Sequence, residues 1–194
     1  MIKIIDRLIN KKDLTESQMT YAMNEIMDGK VDEVNIASFL TALRIKGETA
    51  EEVSSGAKVM RKKALKINLE DRYTVDTCGT GGDGTDTYNI STASAFVLAA
   101  GGVAVVKHGN RSVSSKSGSA DVLEILGVNI NISPEKVKEC VDKIDIGFLY
   151  APVFHNSMKY AAPVRKKLGF RTIFNILGPL TNPAKANGQV LGVF

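Results

Sequence analysis

The chain has 194 residues, 44% hydrophobic and 24% charged, with a formal net charge of +4. This is ordinary globular composition, enough for one sizeable core or one and a half domains. No run of about 18 apolar residues offers a transmembrane helix, charges break the apolar run of "MIKIIDRLINKKD" and exclude a secretory signal, and the two cysteines, Cys78 and Cys140, have no metal-site spacing, so a reduced, cytoplasmic protein is expected.

Residues 2 to about 69 read as all-helical. Ile2, Ile5, Leu8 and Ile9 recur at helical spacing. Thr15 with Gln18 forms a capping box for a helix that buries Met19, Met23, Ile26 and Met27 and ends at Gly29. A third helix carries Ile36, Phe39, Leu40 and Leu43 and closes near Gly47; Thr49 with Glu52 opens a fourth through Val53, Ala57 and Met60. The pattern changes after Arg72. "YTVDTC" reads as a strand, "ISTASAFVLAAGG" as a helix, "VAVVKH" as a strand and "SADVLEILG" as a helix with Gly127 as its C′ residue. Ser133-Pro134 opens a helix to about Lys143. "IGFLYAP" is a strand, "HNSMKYAAPVRKKLG" is helical with an interruption near Pro163, and "NGQVLGVF" is a strand. Strands alternating with helices predict an α/β domain with a largely parallel sheet behind a small all-α domain. A chain seldom stops on such a strand, so a truncated chain with an incomplete sheet is expected.

In "DTCGTGGDGTDTYNIST", Gly79, Gly81, Gly82 and Gly84 crowd between a strand and a helix. That is where an open α/β sheet places its ligand crevice. Glycines admit an anion close to the backbone, successive N–H groups can form a nest, and the following helix offers its positive N-terminus. Gly79, Gly81 and Gly84 match G-x-G-x-x-G, but nothing acidic lies between Asp86 and Asp121 to hold a ribose, so the dinucleotide reading fails. No G-x-x-x-x-G-K-[ST] exists either. A second loop, "KHGNRSVSSKSGSAD", follows the next strand and mixes Lys107, His108, Asn110 and Arg111 with serines. Such donors suit phosphate or diphosphate. The stretches from Thr87 to Ala120 and from Ile146 to Phe194 contain no Asp or Glu, which also favours an anionic ligand.

"GTGGDGTDTYNIST", "KHGNRSVSSKSGSADVLEILG" and "APVFHNSMKYAAPVRKKLGFRTIFNILGPLTNPA" together resemble the anthranilate phosphoribosyltransferases of tryptophan biosynthesis, across essentially the whole chain. The resemblance implies transfer of the phosphoribosyl group of 5-phosphoribosyl diphosphate (PRPP) to the amine of anthranilate, with Mg²⁺ as cofactor and diphosphate released. It implies a homodimer through the helical domain. Residues 1–69 would form that domain, joined by helices near 160–182, and residues 70–194 the PRPP-binding domain. On this resemblance Gly79, Gly82 and Asp83 line the PRPP site. Thr87, Asn89, Ile90, Ser91 and Thr92 hold its phosphates, and Ser91 is a magnesium ligand. Lys107, His108, Gly109, Asn110, Arg111, Ser112, Val113, Ser114 and Ser115 grip the other side, with Ser119 capping the next helix. Gly79, Asn110, His155 and Arg165 contact anthranilate, the Arg165 fork matching its carboxylate. Lys107, Arg165 and His108 are the candidate catalytic residues.

The family's metal-binding Asp-Glu pair falls beyond Phe194, so this chain is expected to be a weak catalyst or inactive unless the remainder is supplied. Three other readings compete: a pyrimidine nucleoside phosphorylase, a non-catalytic fragment that binds phosphorylated ligands, and a nucleic-acid binder. The last is disfavoured by few aromatic residues for stacking.

Overall fold

The computed structural model describes residues 1–69, 72–81, 88–112 and 117–193. In chain order the elements are α1 (Ile2–Ile9), α2 (Glu16–Met27), α3 (Glu33–Lys46), α4 (Ala50–Lys63), β1 (Thr74–Gly79), α5 (Ile90–Ala100), β2 (Ala104–Gly109), α6 (Ser119–Ile125), α7 (Pro134–Ile144), β3 (Ile146–Tyr150), α8 (Ala151–Phe154), a 3₁₀ turn (Asn156–Tyr160), α9 (Ala162–Leu168), α10 (Ile173–Leu177), a second 3₁₀ turn (Pro179–Thr181) and β4 (Gly188–Gly192). They fall into two units: Met1–Ala64 with His155–Thr181, and Leu65–Phe154 with Asn182–Phe194.

The first unit is helical, and local signals set its helix ends. Thr15 Oγ1 accepts the Gln18 N–H at 3.3 Å while Gln18 Oε1 accepts the Thr15 N–H at 3.1 Å. Thr49 and Glu52 repeat this box on α4. Gly47, at φ +88°, closes α3 in a conformation costly for any residue with a Cβ. Met19, Met23, Ile26, Phe39, Leu40 and Leu43 are buried, and Ile173, Phe174 and Leu177 of α10 join the same core. Each such side chain contributes about 1.5–3 kcal/mol by leaving water. Methionines at the centre fit as adaptable filler. Beneath them lies a charged clasp. Glu52 is fully buried and accepts from Leu14 N at 2.8 Å, Thr49 N at 2.8 Å and Lys46 Nζ at 2.9 Å.

The second unit is a four-stranded sheet of order β3-β2-β1-β4, with every pair parallel. The first half of β2 is apolar on both faces, as suits a covered parallel strand, and Ala104, Val105 and Val106 are buried. Val137 and Val141 of α7 pack on Leu149 of β3. A Cβ on Gly147 would meet Val141 Cγ2 at 2.6 Å, so that glycine permits α7 to approach. Ile67 and Leu69 pack into this unit's core.

Two local expectations are corrected. Ser119 does not cap α6; it is the first helical residue, and the N-cap is Gly118. Asp121 Oδ2 accepts the Gly118 N–H at 2.7 Å, and the Ser119 hydroxyl is turned to the Asn110 main-chain oxygen at 3.3 Å. "HNSMKYAAPVRKKLG" is not one helix interrupted at Pro163. Its first part is a 3₁₀ turn, and Pro163 stands in the first turn of α9, where its missing N–H is harmless.

Candidate functional site

The β-branched run Thr74, Val75, Thr77 forms β1, and its far end meets the start of α5 and the end of β2. Thr77 Oγ1 donates to the Ser91 main-chain oxygen at 2.8 Å, which pins the first turn of α5 to the strand. From β2, Lys107 Nζ donates to the Thr77 main-chain oxygen at 2.5 Å and to Ser91 Oγ at 3.2 Å. Lys107 is 3% exposed. Burial pushes its ammonium below a lysine's ordinary pKa, while the nearby Asp76 carboxylate pulls the other way. In the same helical turn, the hydroxyl of Thr92 is buried with no hydrogen-bond partner among the described residues. Asn89 is the N-cap of α5 yet makes no side-chain cap. Its amide instead donates to Ser117 O and Oγ, at 3.3 and 3.2 Å. The start of α5 therefore collects a cation, two hydroxyls and the positive end of the helix, a combination suited to an anion.

The second loop leaves β2 at Gly109. Asn110 Oδ1 accepts the Arg111 N–H at 2.8 Å, and the Asn110 carbonyl accepts from Ser119 Oγ and Ala120 N, at 3.3 and 3.2 Å. Arg111 is exposed but engaged by the protein itself. It pairs with Asp121 and Glu124, donates through Nε to Tyr150 OH at 3.1 Å, and its guanidinium carbon stands 5.9 Å from the centre of the Tyr150 ring. Asp121 Oδ2 accepts from both Ser112 N (3.0 Å) and Gly118 N (2.7 Å), closing the base of the loop. These bonds hold the Asp121 carboxyl below its ordinary pKa. His108 is buried, and its main-chain N–H donates to Asp76 Oδ1 at 3.2 Å.

The second unit thus brings together Gly79, Asn89, Ile90, Ser91, Thr92, Lys107, His108, Gly109, Asn110, Arg111, Ser112 and Ser119, at or near the ends of β1 and β2. Gly82, Asp83, Thr87, Val113, Ser114 and Ser115 lie outside the described residues. Arg165 and His155 belong to the first unit. There the Arg165 guanidinium lies over the Phe174 ring, 5.3 Å from its centre, and donates to Asn175 Oδ1 at 3.5 Å. Burial lowers its pKa, and no carboxylate pairs with it among the described residues. His155 is buried at the start of the 3₁₀ turn.

Sequence reasoning overlooked Thr77 and Asp76. Asp76 is a fully buried carboxylate in β1. The available signal was a lone acid inside a β-branched strand, a position that seldom holds an unpaired charge.

For a metal, the described residues offer no cluster of three or more His, Cys, Asp or Glu. Ser91 Oγ, a neutral oxygen beside Lys107, could take part only with most of the coordination drawn from elsewhere. It fits a magnesium ion that arrives with phosphate oxygens rather than one held by protein alone. Cys78 and Cys140 are free, and burial with the Asp76 charge pushes the Cys78 thiol up to about 12. Among the described residues, no helix is long and apolar enough to cross a membrane.

A helical unit beside a parallel α/β unit is the architecture of the glycosyl transferase family, and the chain belongs to it. The family's a/b domain matches residues 71–194 and its helical bundle domain residues 2–64. Among individual proteins, the chain is 67% identical over 192 residues to the anthranilate phosphoribosyltransferase of Acetivibrio thermocellus, covering 99% of this chain and 56% of that protein. It is 61% identical to that of Alkaliphilus metalliredigens, covering 100% and 57%. A crystal structure of anthranilate phosphoribosyltransferase from Thermus thermophilus superposes with a TM-score of 0.90 at 48% identity, covering 98% of this chain and 58% of that one. The Saccharomyces cerevisiae enzyme in complex with PRPP and Mg superposes at 0.89 with 31% identity, covering 100% and 58%. The chain thus spans a little over half the length of the relatives it matches.

Proposed function

We propose that this chain binds PRPP at the ends of β1 and β2 and serves the transfer of its phosphoribosyl group to the amine of anthranilate, with release of diphosphate, in tryptophan biosynthesis. One observation carries the reading: a buried lysine, Lys107, meets the first turn of α5 through Ser91, beside the unpartnered hydroxyl of Thr92. The names of the relatives and the PRPP and Mg complex of the yeast protein support the same substrate.

The amine of anthranilate is uncharged at pH 7, so its lone pair attacks C1 of the ribose without a general base. The barrier lies in separating C1 from the diphosphate, through a sugar carrying positive charge. Lys107 and the positive N-terminal end of α5 counter the charge that grows on the leaving diphosphate. Asn110 and Gly109 hold the sugar phosphate against the second loop, and positioning supplies the rest. His108 lines the site through its backbone. Magnesium, when bound with the diphosphate through Ser91, shields its negative charge. Arg165, a largely buried guanidinium without a carboxylate partner among the described residues, receives the anthranilate carboxylate bidentately, with His155 bordering the same path.

A homodimer through the helical unit belongs to this reading. Ile2, Ile9, Val34 and Ile45 are exposed on α1 and α3, beside a shallow hollow lined by Met1, Tyr21 and Asn35. A cytoplasmic setting agrees with two free thiols.

The test is consumption of anthranilate by the chain with PRPP and Mg²⁺, alongside phosphorolysis of uridine and thymidine. Product from the first mixture supports the transferase; product from the second supports the phosphorylase. PRPP binding with no product from either leaves a ligand-binding role.

A further inference from the structure

Regular pairing between β1 and β2 covers Thr74 with Ala104 and Val75 with Val105. Yet β1 runs on to Gly79 and β2 to Gly109. Past Val75 and Val105, side chains make the links. Asp76 Oδ1 accepts the His108 N–H at 3.2 Å, and Lys107 Nζ donates to the Thr77 oxygen at 2.5 Å. Two adjacent residues on one strand thus exchange bonds with two adjacent residues on the other.

Asp76 is fully buried. A buried carboxylate is costly unless hydrogen-bonded on both oxygens. Its second oxygen is met by Gln189 Nε2 from β4 at 3.2 Å, and the same amide nitrogen lies 3.4 Å from Cys78 Sγ. Three strands therefore converge on this carboxylate directly behind the lysine. Its charge also offsets part of the burial that weakens the Lys107 ammonium.

We propose that Asp76, steadied by Gln189, is a positioning residue of the anion site: its carboxylate holds the His108 amide from the neighbouring strand and so fixes where Lys107 presents its ammonium. In this arrangement neither Asp76 nor Gln189 touches the ligand. The inference rests on the PRPP reading for its consequence, but its geometry stands alone.

The test compares the chain with Asp76→Asn and with Asp76→Asn/Gln189→Glu. Asparagine keeps an oxygen toward His108 but removes the charge and turns an NH₂ against Gln189, which can accept it only by turning its own amide and giving up the Nε2 contact to Cys78 Sγ. Glutamate at 189 restores an acceptor. Hydrogen exchange at the His108 amide reads the position, and calorimetry with PRPP and Mg²⁺ reads the consequence. Asp76→Asn should exchange faster at His108 and bind PRPP about tenfold more weakly, and the double variant should recover both. A purely structural role would lower the melting temperature while the folded protein kept its affinity and His108 its protection, and that result overturns the proposal. If the unmodified chain fails to bind PRPP, the functional reading falls. His108 exchange then decides the positioning claim alone: faster exchange restored by the double variant upholds it, and unchanged exchange refutes it.

Discussion

The Lys107 ammonium reaches across from β2 to the main-chain oxygen of Thr77 on β1, 2.5 Å away, and from there to Ser91 Oγ at the start of α5. This one contact ties two strand ends and a helix N-terminus to a single buried cation. The cation has neutral oxygens around it and no carboxylate within ion-pair distance among the described residues. An anion entering there would be its first counter-charge at contact distance, since the Asp76 carboxylate acts on it without an ion pair.

Lys107→Met should therefore weaken PRPP binding by about 10- to 100-fold, the worth of a charged hydrogen bond lost. Its melting temperature should change little. The unpaired Thr77 oxygen costs about 1–3 kcal/mol, and removing a buried charge offsets much of it. Calorimetry with PRPP, set beside a thermal melt, checks both halves.

Arg165→Ala should raise the KM for anthranilate, or its Kd where turnover is absent, by at least about tenfold while the Kd for PRPP holds. Arg165→Lys should recover little, because an ammonium cannot match the carboxylate's two oxygens. Titration with each substrate separately is the measurement.

Asp121 gives a pH dependence with a definite sign. Its folded pKa lies below the ordinary 3.8 because Ser112 N and Gly118 N donate to it. A depressed carboxyl stabilises fully above its unfolded value and loses that contribution as pH falls through the folded value. The base of the second loop should hold at pH 5 and loosen below pH 3.8. Exchange rates of the Ser112 and Gly118 amides across that range, corrected for intrinsic pH effects, report it; Asp121→Asn should show no such step.

Glu52→Ala should be among the most destabilising changes in the helical unit, at about 3–5 kcal/mol. It leaves Lys46, whose side chain is 3% exposed, with Asp13 alone as its charge partner, and it orphans the amides of Leu14 and Thr49. Thr49→Ala, which removes only the cap, should cost about 1 kcal/mol. Urea unfolding of the two variants separates the contributions.

What was legible in the sequence was mostly local. Thr15 with Gln18 and Thr49 with Glu52 satisfy helix-end amides within four residues, so their helices could be bounded from spacing alone. Ser133-Pro134 and Gly47 acted in the same way. The parallel sheet followed from the apolar run of β2 between helical patterns. Residues that depend on distant partners were harder. The cap of α6 went to Gly118, where Asp121 binds its amide and that of Ser112, a choice invisible in "SGSAD". Pro163 sat at a helix start rather than a break because a 3₁₀ turn precedes it. Asp76 looked like one acid in a strand. Its use depends on His108, 32 positions away, and Gln189, 113 positions away. Lys107 and Ser91 were named by family resemblance, but their meeting point at the Thr77 oxygen comes only from the folded chain.

The most direct test is a crystal structure of this chain soaked with PRPP and Mg²⁺. The diphosphate should lie against Lys107 and the first turn of α5, with the ribose phosphate toward Gly109 and Asn110. PRPP bound away from the ends of β1 and β2, or bound there without contact to Lys107, would contradict it.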